Sequence, residues 1–85
     1  MKVLIPGALR SYTETGEVEV RGATLGTVLL ELDRQYAGIR FRIIDEQDRV
    51  RRHIRLFING EQVHDLARAL KASDELVIVQ ALSGG

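Results

Sequence analysis

"ATLGTVLLELDRQYAG" (residues 23–38) is the stretch on which the fold turns. Leu25, Val28, Leu29, Leu32 and Tyr36 recur at the three-and-four spacing of one helical face. Glu31, Asp33, Arg34 and Gln35 fall largely off that stripe. Thr24 is placed to act as N-cap and Gly38 as the C′ glycine, which predicts a helix over 25–37. Gly26 costs about 1 kcal/mol relative to alanine inside a helix, an amount that tertiary packing offsets. A helix with one apolar stripe needs a second layer to cover it, so the flanking segments must supply one.

They supply strands. "KVLIP" (2–6) is a β-branched and aliphatic run closed by Pro6-Gly7. In "GEVEVRG" (16–22), Val18 and Val20 alternate with charges, as in a half-exposed strand. About ten residues separate the two, longer than a tight hairpin. Beyond the helix, "HIRLFINGEQV" (53–63) sets Ile54, Leu56 and Ile58 on one face, with Arg55 and Phe57 on the other. Asn59-Gly60 is a type I′ hairpin signal, and Val63 continues a brief return strand. "ELVIVQ" (75–80) is a continuous apolar run, expected of a strand with neighbours on both sides.

Two segments read less simply. In "IRFRIIDEQDRVRRH" (39–53), Phe41 and Ile43 alternate with arginines, and residues 40–44 read equally as strand or helical turn. Asp45 to Asp48 form a polar bend. "DLARALKASD" (65–74) predicts one or two helical turns and a bend at Ser73-Asp74. The resulting order is β-β-α-β-β(short)-β, an α+β domain with a sheet packed on one main helix, over residues 1–80. Residues 81–85 are left as a flexible C-terminal tail.

Composition narrows the functions available. Eighty-five residues make one domain that buries about 60 to 65% of its unfolded surface, with little room for an enclosed active site. Net charge is zero, which gives no general attraction to nucleic acid or anionic membrane. No apolar run approaches the length of a membrane span and no signal peptide opens the chain, so the expected location is cytoplasmic. Cysteine is absent, which removes disulfides, zinc-thiolate sites and thiol nucleophiles together. His53 and His64 stand eleven positions apart without a ligand pattern, so no metal site is predicted. Ten arginines against only Lys2 and Lys71 favour bidentate carboxylate contacts. No nucleophile–base pair or phosphate-binding loop is visible, so the chain is not read as an enzyme.

Strand alternation also nominates a surface. Phe57 lies out of phase with Ile54, Leu56 and Ile58. If Leu76 and Ile78 face the core, Val77 and Val79 share the outer face with Phe57, and Leu4 joins them. An apolar patch of this kind on a small protein marks a partner site. The opposite facing of the last strand would abolish it. The cluster Arg49, Arg51, Arg52 and Arg55 is either a contact for acidic residues of a partner or a solvated charged face.

The sequence finishes "ALSGG" (81–85). At a usage of about 7%, a terminal glycine pair arises by chance in roughly one chain in 200. Taken alone the pair decides nothing. Taken in order with "IPGALRSYT" (5–13), "GATLGTVLLELDRQYAGI" (22–39), "FINGEQV" (57–63) and "SDELVIVQA" (73–81), the terminal "SGG" resembles the ubiquitin-like sulfur carrier proteins of the β-grasp fold. The "IP…LR…T" opening and "RHIRLFINGEQV" (52–63) most resemble carriers that serve cysteine biosynthesis. The small subunit of molybdopterin synthase is the second branch and the thiamine-biosynthesis carrier the third. Relatives carry glycine where Ser73 stands and proline where Gln80 stands.

The resemblance implies that the first and last strands pair in parallel and that the chain is a co-substrate. Gly85 would be the site of adenylation and thiocarboxylate formation, with Ser83 and Gly84 recognised as part of the tail. Leu82 would join Leu4, Phe57, Val77 and Val79 in partner binding. A free α-carboxyl has a pKa near 3.3–3.7, so at neutral pH it is a carboxylate and a poor electrophile. In this family a ubiquitin-activating-type enzyme spends ATP to adenylate it, and sulfur then displaces AMP. No bound cofactor is implied for the carrier itself. A sulfur-accepting biosynthetic enzyme is the second partner. A ubiquitin-like protein modifier, and a plain interaction module, are the alternatives that the residues leave open.

Overall fold

The computed structural model describes residues 1–81. The chain runs β1 (Lys2–Leu4), a 3-10 turn (Gly7–Leu9) leading into the short helix α1 (Arg10–Thr13), β2 (Glu17–Glu19), α2 (Leu25–Gln35), α3 (Ile39–Ile43), β3 (Ile54–Ile58), β4 (Glu61–Val63) and β5 (Glu75–Gln80). The five strands form one mixed sheet in the order β2-β1-β5-β3-β4. β1 and β5 are adjacent and parallel, as expected, while the other pairs are antiparallel. This is the β-grasp arrangement: α2 and α3 cover one face of the sheet, and the other face is left open.

The stripe on α2 does what its spacing dictates. Leu25, Val28, Leu29 and Leu32 are fully buried against Val3, Leu56 and Leu76 of the sheet in one core. The Thr24 hydroxyl accepts from the Thr27 N–H at 3.2 Å, satisfying one of the helix's unpaired N-terminal donors. The helix stops at Gln35, two residues before the predicted end. Gly38 does take the left-handed conformation (φ +97°), but it opens α3 and does not cap α2. The Asp33 carboxylate fixes this corner by accepting from the N–H groups of Gly38 (3.1 Å) and Arg40 (3.0 Å).

Residues 40–43 resolve as helix, while Ile44, its C-cap, is extended and bridges Val50. Ile39 and Ile43, four apart, are both fully buried, whereas Phe41 between them is 56% exposed. The apolar pattern that alternates on paper is a single helical turn with its middle residue facing out. The polar bend after it is built on Asp45, whose carboxylate accepts from the N–H groups of Gln47 (2.8 Å) and Arg49 (3.0 Å). Those two bonds favour the ionised form and hold the carboxyl below the ordinary aspartate range, the Arg49 N–H having the larger effect.

The helical turns expected within residues 65–74 do not form. Asp65 instead accepts from the Ala67 N–H at 2.9 Å, an Asx turn that competes with helix. The carbonyls of Leu66 and Arg68, which a helix would use internally, accept from Gly26 (2.8 Å) and Leu25 (2.9 Å) at the start of α2. Leu70 N–H returns a bond to the Ala23 carbonyl. The segment thus satisfies orphan donors of α2, and a tertiary demand overrides the local pattern. Another departure lies between β1 and β2, where the sequence suggested only a long connection and the structure has the 3-10 turn and α1. Both strands are three residues long, shorter than the runs from which they were read.

The Asn59-Gly60 turn is type I′, with φ of 49° and 87° at its two central residues. Asn59 also ties this hairpin to the start of β5. Its side chain accepts from the Glu75 N–H (2.9 Å) and donates to the Asp74 carboxylate (2.9 Å). Asp74 accepts in addition from the Lys71 N–H at 2.8 Å, closing the bend read at Ser73-Asp74.

Candidate functional site

β5 is the strand that carries the C-terminal residues, and it is internal, paired with β1 on one side and β3 on the other. Leu76 and Ile78 point to the core (0% and 2% exposed), so the facing read from the sequence holds. Its alternate residues, Val77 and Val79, therefore line the open face. The registers bring the nominated residues together: Leu4 lies opposite Val77, and Val77 opposite Phe57. Leu4, Val77 and Phe57 thus form one cross-strand row, with Val79 two residues further along β5 and opposite Arg55. Val79 is 39% exposed, while Leu4, Val77 and Phe57 are half-buried among their neighbours. The row continues into polar residues at both ends, to Glu17 on β2 and Gln62 on β4. Beside it, Lys2 stands between Glu17 (3.9 Å) and Glu75 (3.7 Å). An apolar strip rimmed by charge is the usual composition of a protein contact surface.

The last described residue, Ala81, donates its N–H to the His53 carbonyl at 2.7 Å, extending the β5–β3 pairing by one bond. Leu82, Ser83, Gly84 and Gly85, the other nominated residues, lie outside the described residues.

One feature at this end of the sheet is absent from the sequence reading. A groove of about 470 Å³ is lined by Phe41, Arg42, Arg51, Arg52, His53, Ile54 and Gln80. The Arg51 guanidinium lies 4.5 Å from the centroid of the Phe41 ring, a cation–π contact, and its Nε donates to the Phe41 carbonyl at 2.6 Å. The arginine cluster read from the sequence supplied two of its seven lining residues, Arg51 and Arg52. Phe41 was missed because its exposure follows from α3, and the only signal for it was the Ile39/Ile43 spacing.

The ThiS family model matches residues 3–85 of this sequence. The chain belongs to the ThiS family. Among curated proteins, this ThiS-family chain is 34% identical over 89 residues to the sulfur carrier protein CysO of Mycobacterium tuberculosis, covering 98% of this chain and 96% of the relative. Among solved structures, it matches the Amycolatopsis orientalis BexX/CysO complex with a TM-score of 0.90 and 33% identity, over 99% of this chain and 98% of the other. Small archaeal modifier protein 1 from Methanosarcina acetivorans follows with a TM-score of 0.82 and 30% identity, over 99% and 94% of the two chains. The resemblance read from the sequence, and the ubiquitin-like fold it implied, are both correct. The relatives are carrier and modifier proteins, in keeping with a chain that is not itself an enzyme. No helix among the described residues is long and apolar enough to cross a membrane.

Proposed function

We propose that this ThiS-family chain carries sulfur for biosynthesis, with cysteine as the product served. The observation that carries this reading is the full-length match to CysO, a sulfur carrier, at 34% identity. The family match extends through Ser83, Gly84 and Gly85.

The chemistry follows from the carboxyl group. In the first step the Gly85 carboxylate attacks the α-phosphorus of ATP in the active site of an adenylating enzyme, releasing pyrophosphate. A sulfur donor then adds to the acyl carbon and AMP leaves, which replaces one carboxyl oxygen by sulfur. The thiocarboxylate is a sulfur nucleophile that attacks an activated acceptor held by a second enzyme. ATP is a substrate of the partner, and the carrier supplies the acyl group and a surface by which to be held. Gly84 and Gly85, lacking Cβ, pass through a channel too narrow for other residues. The outer row Leu4–Val77–Phe57 with Val79 supports the surface role.

Conjugation to lysine is the second reading, favoured by the similarity to small archaeal modifier protein 1. Both begin with adenylation, so the products distinguish them. Mass spectrometry of the protein from its native cell should show the mass gained when one oxygen is exchanged for sulfur, and conjugates would show the modifier instead. Molybdopterin synthesis is separated from cysteine synthesis by which purified acceptor enzyme discharges the thiocarboxylate. Deletion of Gly85 should abolish loading while leaving the folded domain intact. Normal loading of the deleted chain would refute the carrier reading.

A further inference from the structure

We propose that the groove between α3 and the ends of β3 and β5 binds an acidic segment of the enzyme that takes in the C-terminus. This rests on the carrier reading and adds a second contact, distinct from the apolar row on the open sheet face.

Three observations carry it. The first is charge. Six of the twelve basic side chains fall within residues 40–55, in a chain whose net charge is zero. Arg40 pairs with Asp48, but among the described residues no carboxylate lies within 4 Å of Arg42, Arg51, Arg52 or Arg55. The segment also holds Asp45, Glu46 and Asp48, with Asp45 in electrostatic reach of Arg51. The balance of six arginines against three acids leaves the groove locally cationic. Its field reaches about 10 Å at ordinary ionic strength.

The second is the aromatic platform. Phe41 is 56% exposed, held from behind by buried Ile39 and Ile43 and flanked by the Arg51 guanidinium. An exposed ring beside arginine suits a segment that mixes carboxylates with an apolar side chain, since Phe and Arg are both enriched where proteins meet. A bare phosphate group would leave the exposed Phe41 ring without a contact.

The third is position. Gln80 lines the groove, and the next residue, Ala81, bonds to the carbonyl of His53, which lines it too. Gly85 stands four residues beyond Ala81, a reach of at most about 13–14 Å. A protein that reacts at Gly85 therefore works within that distance of Ala81 and of the groove beside it.

The test uses the full-length chain and its adenylating enzyme, followed by ATP–pyrophosphate exchange. Arg42 and Arg52 are exposed, and among the described residues their side chains make no hydrogen bond, so Arg42→Glu/Arg52→Glu should fold as the wild type does. This double variant should raise the KM for the carrier about tenfold or more at low salt, with kcat little changed and the difference shrinking as salt rises. Phe41→Ala should raise KM in a salt-independent way. Arg34→Glu reverses a charge on α2 away from the groove and should have no effect. A wild-type KM for the double variant at every salt concentration overturns the proposal, and so does an equal response to Arg34→Glu. Groove resonances that shift when the isotopically labelled chain is titrated with ATP alone or with a DNA oligonucleotide, but not with the enzyme, would assign the site to a phosphate ligand and overturn it as well. If the wild-type chain supports no exchange at all, the carrier reading fails and this proposal falls with it.

Discussion

Replacing Phe57 by alanine separates the two ways in which a ring on a sheet can matter. Truncating a fully buried phenylalanine costs about 3–5 kcal/mol. Phe57 is only half-buried, on the face away from α2, and rests against Val77 across β3–β5 and Gln62 across β3–β4. Scaling the cost by burial leaves about 1–2 kcal/mol of folding stability, in line with a cross-strand pair plus partial burial. In a domain of this size each kcal/mol moves the melting temperature by about 4–8 °C. The variant should therefore melt measurably lower and still be folded at 25 °C. At that temperature, titration calorimetry with the adenylating enzyme should show binding weakened by more than about 1 kcal/mol, roughly fivefold in Kd, as for an interface anchor. Circular dichroism at the assay temperature confirms that the loss is not unfolding. Unchanged affinity together with a stability loss of the full buried magnitude would refute the reasoning, because the ring would then be serving the core.

The packing of β5, of Gly22 and of the two capping aspartates is open to test in the same way. Leu76→Ala or Ile78→Ala should cost about 2–5 kcal/mol in urea denaturation, whereas Val77→Ala or Val79→Ala should cost far less, and parity between the two sets would overturn the facing of β5. Gly22→Ala should destabilise by about 1–3 kcal/mol, because the new Cβ would sit 2.8 Å from the Val28 backbone nitrogen and 2.7 Å from its Cγ2, and wild-type stability would show that the close approach relaxes freely. Asp74 is held below the ordinary aspartate pKa by the Lys71 N–H and the Asn59 side chain, as Asp45 is chiefly by the Arg49 N–H. A depressed folded pKa gives stability that is present above the ordinary value of 3.8 and lost as pH falls through the folded one. The urea midpoint should thus hold down to about pH 5 and drop below pH 4, with a shallower drop in Asp45→Asn/Asp74→Asn; an equally steep drop would mean other carboxylates carry it.

What was legible in the sequence shares one property: the pattern is local and several residues long. α2 shows its stripe over three turns, Asn59-Gly60 declares a turn that only left-handed residues make, and β5 announces its internal place by an unbroken apolar run. α3 was ambiguous because one helical turn holds too few residues to separate a period of two from one of 3.6. Residues 65–74 misled for another reason. Their carbonyls are recruited by the first N–H groups of α2, some forty residues earlier, and no local pattern records that demand. The sites divide in the same way. Alternation along β3 and β5 placed Phe57, Val77 and Val79 on one face, and the register supplied Leu4. The groove draws on residues 41–42, 51–54 and 80, which only the completed sheet brings together.

The placing of β5 bears on how a carrier of this kind can be read by a partner. Because the strand is paired on both sides, it is held by β1 and β3 up to Gln80, and the bond from Ala81 to His53 carries that hold one residue further. Both proposed contact surfaces are built on the same strand: Val77 and Val79 project from the open face, and Gln80 borders the groove. A protein gripping either surface grips a fixed origin from which the remaining residues are counted. Each inserted or deleted residue moves Gly85 by about 3.3–3.6 Å relative to that origin. Misplacement by about 1 Å can cost a hundredfold in rate, so the count from Ala81 to Gly85 matters more than the identity of Leu82. Leu82→Ala should accordingly remain a substrate with weakened binding, while insertion of one alanine between Ala81 and Leu82 should keep the binding and lose the reaction.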